Sequence, residues 1–389
     1  MQKRFLLLPG LVSFLIGCSV PPEIPPPGVG SLPTNTPAWT KPLSPTTTRP
    51  TKETASPFAR WPDAFEMNRR IGQGVNFGNA LEAPNEGEWD VMLHEEYFQL
   101  VSDAGFRAVR LPVRWNTHAL EPSPFTINPS FFERVDWAVN NALSRGLTLI
   151  LDFHHFTDHM DCAACERDRF RRLWTQIADH YRDCPPELVF ELLNEPTDAV
   201  PAGEWNSALA SALGVVRASN PYRTVVVGPV NWNSLWTLDS LELPADDRNL
   251  IVTFHYYDPF QFTHQGAEWA EGSDAWLGTT WTGSGEEQQA IRNAFDQVAR
   301  WGTAHNRPIF LGEFGAYERA DMASRARWTA FAAREAEAHS FSWAYWEFCA
   351  GFGVYDPSAF RWRDPLLRAL LPDSPLSSWG EGNPPAKIM

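Results

Sequence analysis

Two glutamates stand at the ends of strand-like apolar runs, Glu195 in LVFELLNEP and Glu313 in RPIFLGEFGAY. A carboxylate just past a buried strand sits on the rim of a sheet, where two of them can face one substrate. One protonated and one ionised carboxyl group suit general acid catalysis paired with nucleophilic attack, which is the chemistry of glycosidic-bond cleavage. Asn194 stands beside Glu195 and Pro196 closes the segment, so the amide can hold a substrate hydroxyl while the acid reaches the glycosidic oxygen. A helix N-cap is the plainer use of such a carboxylate. Around Glu313, the glycines Gly312 and Gly315 are expected to let the backbone approach a ligand closely.

Other polar and aromatic groups recur at the ends of similar runs. Asn79 and Glu82 follow the first and Arg110 lies within the second; Asp152, His154 and His155 close the third. His255, Tyr257, Trp346 and Glu347 end later ones. Arg110 has two readings that share one contact: a structural ion pair, or a donor that keeps the nucleophilic carboxylate ionised. His154 and His155 are adjacent in a strand and face opposite ways, so they do not easily ligate one ion. His154 is the one expected in the cleft, as a hydrogen-bonding partner for substrate. Tyr257 is expected to stabilise the Glu313 carboxylate, and His255 to hold Tyr257 or a sugar hydroxyl. His94, His118, His180 and His339 are dispersed and receive no role.

The runs themselves are GQGVNFG near 72–78, FRAVRLP at 106–112, LTLILDF at 147–153 and LVFELL at 188–193, then TVVVG at 224–228, LIVTFHYY at 250–257, PIFLGEF at 308–314 and FSWAYWEF at 341–348. Segments of helical period lie between most of them, around 91–104, 130–145, 168–183, 203–219, 286–304 and 322–338. Strand and helix in alternation imply a parallel sheet with helices outside it, and eight units close it into a (β/α)8 TIM barrel. No GxGxxG or P-loop follows any run, so a nucleotide-binding α/β sheet has no support. In a barrel the chemistry gathers at the C-terminal strand ends, where these polar groups fall.

The barrel is expected over residues 58–372 as a single catalytic domain, with a tail at 373–389. Residues 1–18, MQKRFLLLPGLVSFLIGC, read as an export signal: Lys3 and Arg4, an apolar stretch, then a small-residue site. LIGC resembles the lipobox of bacterial lipoproteins, which makes Cys18 the lipidated N-terminus of the mature chain; an ordinary secretory peptide is the alternative. Ser19 after the cysteine favours the outer membrane by the same resemblance. Residues 19–57 are rich in Pro and Thr and lack hydrophobic periodicity, which describes a semi-extended tether. The net charge of −15, from 47 acidic against 32 basic residues with no basic stripe, speaks against a nucleic-acid partner. The 18 tryptophans and 25 phenylalanines are mostly core, with a subset available to stack on sugar rings.

Cys162, Cys165, Cys184 and Cys349 lie beyond the leader. A helix over 168–183 would separate Cys165 from Cys184 by roughly 24 Å, too far for a bridge. A local Cys162–Cys165 pair is the expected disulfide. CAAC lacks the second CxxC or His pair of a zinc site.

These residues resemble glycoside hydrolase family 5 cellulases. The similarity runs from GVNFGNALEAPNEGEW through RLPVRW, LDFHHF, FELLNEP, HYYDPFQFTHQGAEW and LGEFGAY to WAYWEFCAGFGVYD. The first and fifth of these strings also resemble the branch containing the Thermotoga cellulase active on glucans and mannans. The resemblance makes Glu195 the general acid/base and Glu313 the nucleophile, with Arg110, His154, Asn194, His255, Tyr257 and Trp346 at the family's other active-site positions. Asn79, Glu82, His155, His264 and Trp269 match cleft positions that contact sugar, and Trp346 offers a platform in the subsite before the cut. The implied activity is a retaining endo-β-1,4-glucanase on β-glucans, working as a monomer through a covalent glycosyl-enzyme with no metal or organic cofactor. A β-mannanase or dual glucanase/mannanase on the same site is the first alternative. A catalytically inactive, membrane-tethered glycan-binding lipoprotein is the second. The CAAC insertion, Asp161 to Glu166, departs from the family pattern and puts the cleft outline near the third strand in question.

Overall fold

A computed structural model describes residues 61–156 and 163–378. Within them, eight parallel strands close into a barrel in sequence order, each paired with the next and the last with the first. They are β1 Gln73–Asn76, β2 Ala108–Val113, β3 Thr148–Phe153, β4 Leu188–Glu191, β5 Val225–Val227, β6 Leu250–His255, β7 Ile309–Glu313 and β8 Ser342–Tyr345. Every residue of β2 to β8 is buried, as strands covered by side chains on one face and helices on the other must be. All eight strands coincide with the apolar runs of the sequence, each shorter by one to four residues, with β2 ending one residue past its run at Val113.

Before β1 comes a helix that the sequence analysis did not assign, α1, Ala64–Ile71. The Asp63 side chain caps it by accepting from the Glu66 N–H, and its buried face is Ala64, Met67 and Ile71. Those residues share one core cluster with Ala108, Ile150, Val189, Val226, Ile251, Phe310 and Ala344 from seven of the strands. The helix therefore plugs the end of the barrel opposite the C-terminal strand ends.

Six outer helices match the periodic segments: α2 Glu95–Ala104, α3 Pro129–Ser144, α4 Ala163–His180, α5 Ala202–Ser219, α6 Gly285–His305 and α7 Met322–Ala338. Their starts follow capping chemistry. Ser284 and Glu287 form a reciprocal capping box on α6, Asp321 caps α7, and Asn128 with Pro129 opens α3. Between β5 and β6 the described chain has no long helix and uses the 3-10 turn Leu235–Ser240. After β8 a two-stranded hairpin, Tyr355–Asp356 with Arg361–Trp362, leads to α8, Asp364–Leu370. Cys184 and Cys349 are free. Cys162, and with it the expected Cys162–Cys165 pair, lies outside the described residues, as do Cys18 and the Pro/Thr-rich segment. No described helix is long and apolar enough to cross a membrane.

Candidate active site

The C-terminal strand ends converge on one guanidinium. Arg110, fully buried on β2, donates from Nε and Nη2 to the two oxygens of Glu191 at 2.7 and 2.9 Å. Its Nη1 donates to Glu313 Oε1 at 2.8 Å and to Asn76 Oδ1 at 2.9 Å. Nη2 also reaches Asn194 Oδ1 at 2.8 Å and lies 3.1 Å from Asp152 Oδ2. The five N–H donors of an arginine are thus engaged, which only a planar fork can do. Asn76 is itself held by three carbonyls, Gly312, Ala344 and Tyr345, so β1 ties the hub to β7 and β8. Burial opposes the Arg110 charge, but Asp152, Glu191 and Glu313 outweigh it and keep it protonated.

Glu313 ends β7, where Tyr257 Oη donates to its Oε2 at 2.9 Å. Glu195 follows β4 with a left-handed φ of 44°, which turns its side chain out of the strand path into a partly open position. His255 stands between the two acids: its Nδ1 is 2.6 Å from Glu195 Oε1 and 3.6 Å from Glu313 Oε2. Facing atoms of Glu195, His255 and Glu313 all lie within 4.8 Å of one another. A metal ion there would compete with the Arg110 and Tyr257 donors already on Glu313, so the three groups suit acid–base and nucleophilic work better than ligation.

Burial pushes Glu195 up to about 7, and Glu191 adds to this while Arg110 and Asn194 oppose it. Glu313 is also raised by burial, but His255, Arg110 and the Tyr257 hydroxyl pull against that. Two charge-stabilising hydrogen bonds end on Glu313, one of them from a guanidinium, so between the coupled acids the proton belongs on Glu195. Burial lowers His255 to about 4, and the ring is neutral near pH 7.

Around this centre, His154 packs its ring nearly parallel to Trp346, with centroids 5.6 Å apart. Its Nδ1 is 2.5 Å from Asp152 Oδ2. His155 lies just past the end of β3, where strand alternation no longer applies: its ring meets that of His154 edge-on with centroids 4.5 Å apart and stands edge-on to Trp89, so the two histidines do not face opposite ways as expected. His264 stacks on Phe260 and stands edge-on to Tyr257. Trp269 is 63% exposed and touches Tyr317. Asn79, at φ 64°, lies in the loop after β1.

Three further expectations need correction. Gly312 and Gly315 make room for protein rather than ligand: a Cβ on Gly312 would come 2.6 Å from Thr253 Oγ1 and 2.8 Å from His255 Nε2, and one on Gly315 would strike the Trp346 carbonyl. Asn194 gives its carbonyl oxygen to Arg110, which fixes the amide beside Glu195 and leaves its N–H group as the part that can meet a substrate hydroxyl. His255 approaches Glu195 rather than holding Tyr257. Glu82 is 1% exposed and accepts from the Asn79 and Ala80 N–H groups, so it shapes the β1 loop instead of facing the open cleft.

Sequence reasoning missed Glu191, Asn76 and the turn Asn231–Trp232–Asn233. Glu191 and Asn76 are single polar residues in apolar strands, the same signal that picked out Arg110. Trp232 is 47% exposed and its N–H donates to the Pro196 carbonyl at 3.0 Å, beside Glu195. No residue type in that turn announces a left-handed backbone except Asn.

Residues 73–351 match the family model described as cellulase (glycosyl hydrolase family 5). The chain is 37% identical over 285 residues to endoglucanase H of Acetivibrio thermocellus, covering 73% of this chain and 30% of that protein. Cellulase/esterase CelE of the same organism is 27% identical over 316 residues, covering 76% and 37%. The chain thus spans about a third of these two curated relatives. Thermotoga maritima Cel5A, solved with mannotriose, superimposes with a TM-score of 0.78 at 47% identity, over 79% of this chain and 100% of that one. The same figures hold for that protein with cellobiose. With its eight-stranded barrel, its acid pair and a family match over most of its length, this chain belongs to glycosyl hydrolase family 5, the cellulases.

Proposed function

We propose that this protein is a retaining endo-1,4-β-glucanase that cleaves β-glucans by double displacement. The observation that carries the reading is the closeness of the acids: facing atoms of Glu195 and Glu313 lie within 4.8 Å, with His255 between them. Double displacement needs carboxyl groups about 5–5.5 Å apart, whereas inversion needs about 6.5–9.5 Å to admit a water.

In the first step a Glu313 oxygen bonds to the anomeric carbon as the glycosidic C–O bond breaks, and Glu195 gives its proton to the departing oxygen. Arg110 and Tyr257 hold the two Glu313 oxygens in place for that attack. Esterification removes the negative charge beside Glu195, which lowers its proton affinity and makes it a fit base. In the second step Glu195 takes a proton from water, the water oxygen bonds to the anomeric carbon, and Glu313 leaves as carboxylate. Trp346, backed by His154, supplies the platform for the sugar being cut. A ring face tolerates either C2 hydroxyl orientation, and the similar Thermotoga maritima Cel5A has been solved with both mannotriose and cellobiose. A dual glucanase/mannanase is therefore the second reading.

The LIGC sequence at Leu15 to Cys18 and the Pro/Thr-rich segment after it support an exported lipoprotein anchored through Cys18 at the outer membrane. Cys18→Ala should release the protein from the membrane fraction.

The deciding experiment is reducing-sugar release from barley β-glucan, carboxymethylcellulose and glucomannan by wild type and Glu313→Gln. The variant should lose about 10²-fold or more, or roughly 2.7 kcal/mol of barrier. A wild type that binds all three and cleaves none would instead make this a tethered glycan binder.

A further inference from the structure

After β5 the chain makes a turn with no counterpart among the other described strand ends. Asn231, Trp232 and Asn233 take φ of 62°, 58° and 54° in succession. Non-glycine residues avoid this left-handed region, asparagine least of all. Such a backbone persists only where its surroundings hold it. Three contacts do so here. The Trp232 N–H donates to the Pro196 carbonyl at 3.0 Å, tying the turn to the segment that carries Glu195. Ser234 pairs with His255 in an isolated parallel bridge. Asn233, 0% exposed, fills with its carboxamide the space that Gly228 leaves by lacking a Cβ.

The product of this turn is one contact. Asn233 Nδ2 lies 3.4 Å from His255 Nε2, on the side of the ring opposite the Nδ1 that meets Glu195 at 2.6 Å. We propose that Asn233 is a positioning residue for acid catalysis: its carboxamide N–H donates to His255 Nε2, which places the ring proton on Nδ1 and makes Nδ1–H the donor to Glu195 Oε1.

The consequence concerns where the Glu195 proton sits. When Nδ1–H donates to Oε1, the acid proton resides on Oε2, free for the leaving oxygen. In the opposite tautomer Nδ1 is a bare lone pair 2.6 Å from the acid, and the proton is drawn to the ring instead of the substrate. The groups that face His255 are Glu195 after β4, Glu313 on β7, Glu191 on β4 and Arg110 on β2, together with Asn233. Burial keeps the ring neutral, so a single ring proton chooses between two nitrogens and the amide decides.

The inference rests on Glu195 being the acid, and the test separates the two. It compares kcat/KM on a cello-oligosaccharide, whose leaving oxygen needs a proton, with kcat/KM on dinitrophenyl β-cellobioside, whose leaving group needs none. Asn233→Gly deletes the amide and keeps a backbone free to adopt positive φ. Asn233→Asp keeps the shape and presents an acceptor to Nε2, forcing the wrong tautomer. Both variants should lose about tenfold or more on the oligosaccharide and stay within about twofold on the aryl glycoside, with Asp the worse. Equal losses on both substrates would mean plain structural damage and overturn the proposal. Full oligosaccharide activity in Asn233→Asp would mean that an oxygen belongs opposite Nε2, which also overturns it. Glu195→Gln, run alongside, should give the same leaving-group-selective loss; without it, the acid assignment itself falls and takes the inference with it.

Discussion

Arg110 Nη1 stands 2.8 Å from Glu313 Oε1, and the same guanidinium grips both oxygens of Glu191 on the far side. Glu313 is therefore oriented by a group that is itself locked, and in the proposed mechanism Arg110 is at once a structural ion-pair partner and a positioning residue. Removing one partner from a buried ion cluster costs about 3–5 kcal/mol because the remaining charges stay buried and unpaired. Arg110→Met should show a loss of that size in urea unfolding. Arg110→Lys keeps the charge but lacks the fork, so it should recover part of the stability and little of the activity.

Glu195 must be protonated for the first step, and its pKa is raised to about 7. Above that value the acid is ionised and cannot protonate the leaving oxygen. The value of kcat/KM on an unactivated glucan should therefore fall tenfold per pH unit on the alkaline side of about 7. A dinitrophenyl glycoside should lack this limb, and a limb of equal steepness on both substrates would assign it to another group.

Burial raises Glu82 from an ordinary 4.5 to about 8. The folded state then holds a proton that the unfolded chain releases, so the associated stability is present below about 4.5 and is lost as pH rises through about 8. Glu347, raised to about 7 by burial, adds in the same direction. The melting temperature should decline from about pH 5 to about pH 8, and Glu82→Gln should flatten that decline. A wild-type curve that rises over this window would contradict the burial account.

A methyl group on Gly315 would strike the Trp346 carbonyl and meet Phe352 at 3.1 Å. Gly315→Ala should cost about 1–3 kcal/mol by overpacking and displace the Trp346 platform. The expected signature is a rise in KM for glucan together with lower thermal stability. Unchanged kinetics would show that the platform tolerates the shift.

Much of the barrel was legible because its signals are local. The eight apolar runs, the periodic segments between them and the polar residues at the run ends each depend on neighbours a few positions apart. Helix α1 escaped because it is short and its inward apolar residues are only Ala64, Met67 and Ile71, beside an exposed Phe65, and their partners come from seven different strands. Glu82 belongs to the cleft by its place after the first run and by the family resemblance, yet the fold returns its carboxylate to two backbone N–H groups.

The sequence by itself determined the strand order, the location of chemistry at one end of the barrel and the two acids, since alternation and residue type are properties of the chain alone. Only the tertiary structure decided how those acids are held. The Arg110 contacts span 81 residues to Glu191 and 203 to Glu313, and the Asn233–His255 contact joins two strand ends across a left-handed turn. Such contacts exist only once the sheet has closed on itself, because closure brings the C-terminal ends of distant strands to within hydrogen-bond reach of one buried cation.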